Sequence, residues 1–407
     1  MEQRQILHVD VNNAFLSWTA LAMLKQGSKI DIREIPAIIG GDESKRSGIV
    51  LAKSMKAKEC GIKTAETIYQ AKAKCPNLSI YPSNFEIYRT YSNKLYQLLC
   101  EYTDQIERFS IDECFLDMTH FLMKGNLLEK AKEISKRVKE ELGFTVNIGV
   151  AHNKLLAKMA SDFTKPDKIH TLWEEEIPIK MWPLPISELF MLGKKTVPKL
   201  YHKQIKTIGD LAHTQEEKLI KQFGKQGKML WEYANGIDHS EVKSKPEKPK
   251  GIGNSITLPQ NLVETEKIEE IVSALIEQVT YRLRRQNMLA EVLNIQLRTK
   301  DFVDTSHQGK LPIPTANTKI ILEKAKELIQ EMYHEGIPIR LIGVRVDHLK
   351  EKEEEQISLF QQTKQNTKQE KLDKTIDQLK EKYGYHLITR AGNLEVENMI
   401  QFRKEKE

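Results

Sequence analysis

An acidic pair breaks an apolar run at Phe109-Ser110-Ile111-Asp112-Glu113-Cys114-Phe115-Leu116-Asp117. Carboxylates inside such a run are costly unless they meet cations. Adjacent side chains on a flat strand point to opposite faces, so Asp112 and Glu113 can share a site only at a bend or hairpin tip. A third carboxylate, Asp10, closes the short apolar strand Ile6-Leu7-His8-Val9 and can converge on the same place. Three carboxylates suit two magnesium ions, which take hard oxygen ligands and keep room for water and phosphate. Two such ions can clamp the attacking and leaving oxygens of an in-line phosphoryl displacement. Spacing alone leaves a second reading open, in which Asp112 and Glu113 form surface ion pairs at a strand end.

The chain around these acids is long: 407 residues call for several modules rather than one core. Apolar patterning predicts a strand from Gln5 to Val9, a helix from Phe15 to Leu24, a strand from Gly48 to Ala52 and a helix from Ser54 to Cys60. A long amphipathic helix follows from Phe85 to Tyr102. Strand-like runs at Ile106 to Leu116 and Phe144 to Val150 flank a helix from Leu127 to Leu142. This order predicts an α+β sheet with helices on one face. From Trp173 the texture changes, with prolines at 178, 183 and 185 and short helices to about Gly236. The lysine–proline run Lys243 to Lys250 reads as an exposed tether. Beyond it, strand Ser255 to Leu258, helix Ile268 to Gln286, strand Glu291 to Arg298, helix Thr318 to Tyr333 and strand Ile339 to Val346 describe a second, small α/β module. A last helix is expected near Leu372 to Tyr383.

Four cysteines (Cys60, Cys75, Cys100, Cys114) lack metal-like or disulfide-like spacing, which argues for a reduced, cytoplasmic setting and against a zinc site. No apolar run approaches membrane-spanning length, and the amino terminus has no signal-peptide pattern, so no membrane is expected. The net charge of +6 barely favours a nucleic-acid partner by itself. Its distribution says more, with basic groups gathered at Lys243 to Lys250, Arg282 to Arg285 and Lys194-Lys195.

His8-Val9-Asp10-Val11-Asn12-Asn13-Ala14-Phe15, taken with Ser110-Ile111-Asp112-Glu113, resembles the Y-family DNA polymerases. Within them it looks closest to the branch around the catalytic subunit of bacterial DNA polymerase V and its low-GC Gram-positive relatives. The resemblance runs over most of the chain. It implies a right-hand α+β multidomain fold: palm (1–15 and 80–172), fingers (16–79), helical thumb (173–240), linker (241–250), α/β little finger (251–349) and tail (350–407). It also implies error-prone translesion synthesis on primer–template DNA from deoxynucleoside triphosphates, in a DNA damage (SOS) response. By position, Asp10 and Asp112 match the shared metal ligands, Glu113 the third carboxylate, and the Val11 carbonyl the nucleotide-side metal. Phe15 matches the steric gate that crowds a ribose 2′-hydroxyl.

The segment Gly48 to Lys58 resembles the fingers strand and helix over the incoming nucleotide. Many relatives carry tyrosine and arginine where this chain has Met55 and Lys58, so a hydroxyl donor is lost and a bidentate fork becomes a point charge. Lys165, just past a helix with Leu155, Leu156, Met159, Ala160 and Phe163 on one face, matches the lysine that reaches the β- and γ-phosphates. Gly40-Gly41-Asp42-Glu43-Ser44 nearly spells a diguanylate cyclase signature, but Lys45-Arg46-Ser47-Gly48 follows where a strand should begin. Met191 to Leu200 resembles a thumb helix–hairpin–helix whose backbone N–H groups hold DNA phosphates, with Gly193, Lys194 and Lys195 at the turn and Met191 in place of the usual first glycine. Phe223 to Gly227 suggests a second such turn. In the little finger, Arg284, Arg285 and Arg298 are candidate DNA contacts. Gln356-Ile357-Ser358-Leu359-Phe360 resembles a bacterial sliding-clamp motif, with Gln356 as anchor and Leu359 and Phe360 filling a groove. Residues 372–394 could dock an accessory protein or fold back on the enzyme. The rival reading of the whole is a non-catalytic, clamp-docked DNA-binding scaffold.

Overall fold

In the computed structural model, residues 3–41, 48–121, 126–352 and 363–384, with Ile388, are described. Strand β1 (Ile6–Val11) is buried along its whole length. It is the middle strand of a five-stranded sheet ordered β5-β6-β1-β7-β8, with β5 Ile106–Arg108, β6 Glu113–Asp117, β7 Val146–Ala151 and β8 Ile169–Thr171. Alternation along β1 divides its side chains between two cores. Leu7, Val9 and Val11 join Trp18 of α1 (Ala14–Lys25), Tyr88, Tyr91 and Leu95 of α4 (Phe85–Leu99), and Leu127 and Ile134 of α5 (Leu127–Arg137). Ile6 points the other way, to a core with Phe115 and with Leu155, Leu156 and Met159 of α6 (Lys154–Asp162). The expectation of helices on a single face is therefore corrected: α6 covers the second face because its apolar stripe faces the even-numbered side of β1. Helix and sheet approach closely here. A Cβ at Gly149 of β7 would lie 1.8 Å from the Ala157 carbonyl oxygen of α6, so only glycine fits.

A smaller sheet, ordered β3-β2-β4, contains β2 (Ala37–Gly40), β3 (Val50–Lys53) and β4 (Ser79–Pro82). Helices α2 (Met55–Glu59) and α3 (Ile68–Lys74) close it over Ile38, Val50, Ala57, Ile68 and Ala71. After β8 come short helices: α7 (Val197–Tyr201), α8 (Ile208–Ala212), α9 (Glu216–Phe223) and α10 (Lys225–Ala234). Gly224 (φ 59°) separates α9 from α10. A Cβ at Gly227 would lie 2.1 Å from the Leu219 carbonyl oxygen, so this helix pair also depends on a missing side chain.

The chain divides into two units, 1–41 with 48–246, and 42–47 with 247–407, the second boundary falling inside the lysine–proline run. The second unit has an antiparallel sheet ordered β11-β10-β12-β9, made of β9 (Gly251–Leu262), β10 (Met288–Thr299), β11 (Asp304–Thr315) and β12 (Ile339–Asp347). Helices α11 (Thr265–Arg285) and α12 (Thr318–Met332) bury Ile271, Leu275, Ile321 and Leu328 against Leu293, Ile295 and Val344. Strand β11 is absent from the sequence reading. It lies on the sheet edge, mostly exposed, and carries Pro312 and Pro314, which an edge strand tolerates and a central one does not. A final helix, α13 (Thr363–Tyr383), starts well before the expected position and lies against α11 and α12 through charged groups.

Candidate active site

The hairpin of β5 and β6 turns between Arg108 and Glu113, which puts Asp112 in the turn and Glu113 at the first residue of β6. Glu113 pairs directly with Asp10 across the β1–β6 ladder, and the Val11 N–H donates to the Asp112 carbonyl at 3.1 Å. The bend demanded by an adjacent acidic pair is thus present, and all three predicted carboxylates belong to one end of one sheet. The Ser110 hydroxyl donates to Asp112 Oδ1 at 2.6 Å and fixes that carboxylate.

Two lysines neutralise this acidic end. Lys165 Nζ lies 2.5 Å from Asp10 Oδ2 and 2.8 Å from Asp162 Oδ1. Lys158 Nζ lies 2.6 Å from Glu113 Oε1, 3.4 Å from Asp162 and 3.8 Å from Asp10. Burial raises the Asp10 carboxyl above its ordinary pKa, although Lys165 and Lys158 pull against it. Burial raises Asp112 as well, against the hydrogen bond from Ser110. Burial would lower both ammonium groups, but the surrounding carboxylates outweigh it and hold Lys158 and Lys165 above the usual lysine value.

Lys158 is missing from the sequence reading, because it sits inside the apolar stripe of α6 and its neighbours read as core. A charge in a buried helical stripe was the available signal. Asn147 and Asn12 were missed too. Asn147 donates to the carbonyls of Ser161 and Thr164, and Asn12 Oδ1 accepts from the Asp167 N–H, so the loop carrying Lys165 is tied to the ends of β7 and β1.

Among the described residues no group of three or more His, Cys, Asp or Glu side chains is arranged to hold a metal ion as it stands. The lysine pairs account for this, since Asp10 and Glu113 are each turned to an ammonium. The donor set still suits magnesium: buried Asp10 and half-buried Asp112 and Glu113, all of them hard oxygen ligands.

Phe15 lies at the start of α1, stacked on Tyr88 (ring centroids 4.5 Å apart, planes at 16°) and edge-on to Phe85. One face of the ring is therefore held by packing. Met55 and Lys58 stand exposed one turn apart on α2, which Ser54 caps by accepting from the Ala57 N–H. Lys53 lies near Lys58; burial and that neighbour both lower its pKa. Gly193, Lys194 and Lys195 are exposed in the turn before α7. Met191 takes the left-handed conformation (φ 64°) that a glycine would adopt freely, which carries a steric cost.

The second unit corrects one expectation. Arg284 is not presented to solvent for DNA; its guanidinium donates to both oxygens of Asp377 (2.6 and 2.8 Å), to the Ala316 carbonyl and to Thr318 Oγ1. Arg285 is exposed at the end of α11. Arg298 makes a two-point contact with Asp304 on the neighbouring strand (2.8 and 2.9 Å), so a phosphate would have to compete for it. Gln356, Leu359 and Phe360 lie outside the described residues, as does most of the cyclase-like segment beyond Gly41.

Family models match three stretches: the impB/mucB/samB family over residues 9–162, its C-terminal domain over 249–359, and a DNA polymerase-iota thumb domain over 189–238. A solved Y-family DNA polymerase chimera of Dbh and Dpo4 superposes with a TM-score of 0.74 at 23% identity, covering 85% of this chain and 99% of that one. The chain belongs to the Y family of DNA polymerases, with the right-hand fold of that family, and is a DNA-directed DNA polymerase. Among its relatives, DNA polymerase IV of Clostridium acetobutylicum is 47% identical over 96% of this chain and 98% of its own. DNA polymerase IV of Acetivibrio thermocellus is 38% identical over 96% and 97%, and DNA polymerase IV 1 of Bacillus subtilis 36% over 97% and 94%. These relatives carry the polymerase IV name, whereas the motifs alone suggest the polymerase V branch. The scaffold and cyclase readings fall away. No helix among the described residues is long and apolar enough to cross a membrane.

Proposed function

We propose that this polymerase copies damaged templates with low fidelity, as part of a DNA damage response, by two-metal nucleotidyl transfer. The direct pairing of Asp10 with Glu113, with Asp112 in the adjoining turn, supports the two-metal chemistry, and the Y-family match supports synthesis on damaged templates. Those three carboxylates and the Val11 carbonyl would hold two magnesium ions, which when bound stabilise charge on the attacking and leaving oxygens. The primer 3′-hydroxyl oxygen attacks the α-phosphorus, its proton passes to solvent, and the bond to the β-phosphate bridging oxygen breaks to release pyrophosphate. Lys165, partly exposed and paired with Asp10, is placed to exchange that partner for the β- and γ-phosphates. Lys58 adds charge from α2. Phe15, braced by Tyr88, would stand against a ribose 2′-hydroxyl.

DNA is gripped through Gly193, Lys194 and Lys195, and in the second unit through Arg285 and Arg298. Gln356, Leu359 and Phe360 would tether the enzyme to a sliding clamp. Primer extension tests the core of this. Wild type with magnesium should extend across an abasic template, and Asp112→Ala should lose activity by on the order of a thousandfold or more. Equal activity in the two proteins would sink the carboxylate assignment. Clamp stimulation that survives removal of Leu359 and Phe360 would sink the tether.

A further inference from the structure

The two lysines at the acidic end of the sheet sit in different settings. Lys165 lies in the loop after α6, its side chain 37% exposed, and its contacts are Asp10 and Asp162. Lys158 lies on the buried side of α6, its side chain 10% exposed, and its shortest contact is Glu113. Its backbone is held where it is. The preceding residue, Ala157, presses its carbonyl against Gly149 with no room for a Cβ between helix and sheet. Lys165 is open to solvent along part of its side chain, whereas the Lys158 ammonium is enclosed among Glu113, Asp162 and Asp10.

We infer that Lys158 is a positioning residue: a resident cation that orients the Glu113 carboxylate and keeps the nucleotide-free site a weak binder of divalent metal. The inference rests on the metal reading above. A divalent ion held by Asp10 and Glu113 would share both carboxylates with an ammonium 2.6 Å from one and 3.8 Å from the other. Like charges a few ångströms apart in a partly buried site repel strongly. The negative charge of a triphosphate offsets that repulsion, and the withdrawal of Lys165 toward the phosphates lifts a further unit of positive charge from Asp10. Metal would therefore be held firmly only when nucleotide arrives with it. A site left with bare carboxylates would instead fill with metal at rest.

The test is Mn2+ binding to the full-length enzyme without DNA or nucleotide, followed by electron paramagnetic resonance. Lys158→Gln should bind Mn2+ on the order of tenfold more tightly than wild type. Lys158→Arg, which keeps the charge, should stay within about twofold of wild type. Lys158→Met serves as a second uncharged variant of similar length should the glutamine variant fold poorly. In steady state Lys158→Gln should lower kcat more than it changes KM for nucleotide, and Lys165→Gln should do the reverse. An unchanged Mn2+ affinity in both uncharged variants, with lowered thermal stability, would reduce Lys158 to a structural role and overturn the inference. Equal tightening in Lys158→Arg would overturn it too, since charge would then not be the cause. If Asp112→Asn weakens Mn2+ binding neither in the Lys158→Gln background nor in wild type with nucleotide present, the metal reading fails and this inference falls with it; binding that Asp112→Asn weakens but Lys158→Gln does not tighten overturns this inference alone.

Discussion

Arg284 and Asp377, 93 residues apart in the chain, meet in a two-point ion pair that fastens the last helix onto the second unit. Asp373, buried at 3% exposure, joins the same guanidinium at 3.5 Å and also accepts the Thr318 N–H at the start of α12. Asp373→Ala leaves Arg284 with Asp377 but removes the side-chain acceptor of the Thr318 N–H, so it should cost about 2 kcal/mol and raise hydrogen exchange across 369–383 and the first turn of α12. Unchanged protection there would contradict the pairing. Arg284→Ala should loosen the same helix while leaving the salt dependence of DNA binding as it is in wild type.

Phe15 tests substrate choice. Its ring is braced on Tyr88 at 4.5 Å, so shortening it opens space without a neighbour to fill it. Phe15→Ala should reduce discrimination against ribonucleotides by on the order of a hundredfold, read as the ratio of kcat/KM values for a matched pair of triphosphates. Discrimination equal to that of wild type would return Phe15 to plain core.

Lys58 and Met55 share the exposed side of α2. Lys58→Arg restores a planar fork that can grip phosphate at two points, and should lower KM for nucleotide severalfold; Met55→Tyr restores a hydroxyl and should add to it. A KM that rises in both variants would place the triphosphate elsewhere.

Lys194 and Lys195 precede α7 in an exposed turn. If they meet phosphates, each change to alanine should weaken binding to any DNA sequence alike and reduce the slope of log affinity against log salt by about 1. A steeper or sequence-dependent loss would rule out backbone contact.

Thiol chemistry reports on the sheet beneath the site. Burial pushes the Cys114 thiol up to about 12, while Cys100 lies exposed at the end of α4. At pH 8 iodoacetamide should label Cys100 readily and Cys114 only after unfolding, because the thiolate is the reactive form. Mass spectrometry of the native protein settles it; early labelling of Cys114 would show that β6 opens.

Much of the site was legible because its cost is local. Asp112 and Glu113 could not both be used on a flat strand, so the hairpin tip followed from two adjacent letters. Lys158 was harder to read: its nearest partner Glu113, and Asp10, lie on strands distant in the chain, and Asp162 one turn along α6 suggests only an ordinary surface pair. Arg284 misled in the same way, since a basic cluster at a helix end reads as a phosphate grip until its acidic partner is found far downstream in α13. Strand β11 escaped because an edge strand needs neither alternation nor freedom from proline, the two properties by which strands are recognised. Helices on both faces of the main sheet could have been anticipated from β1, whose six residues are apolar or buried on both sides.

The ladder between β1 and β6 runs from Ile6 opposite Asp117 to Asp10 opposite Glu113 with no bulge. Sliding that pairing by a single residue would swing Glu113 to the far side of the sheet. If Asp10 and Glu113 act together as proposed, the gain or loss of one residue between Glu113 and Asp117 should part them and abolish polymerisation. Changes in length are confined to the connecting loops, and alignments of its descendants should show β6 free of gaps however far their sequences drift.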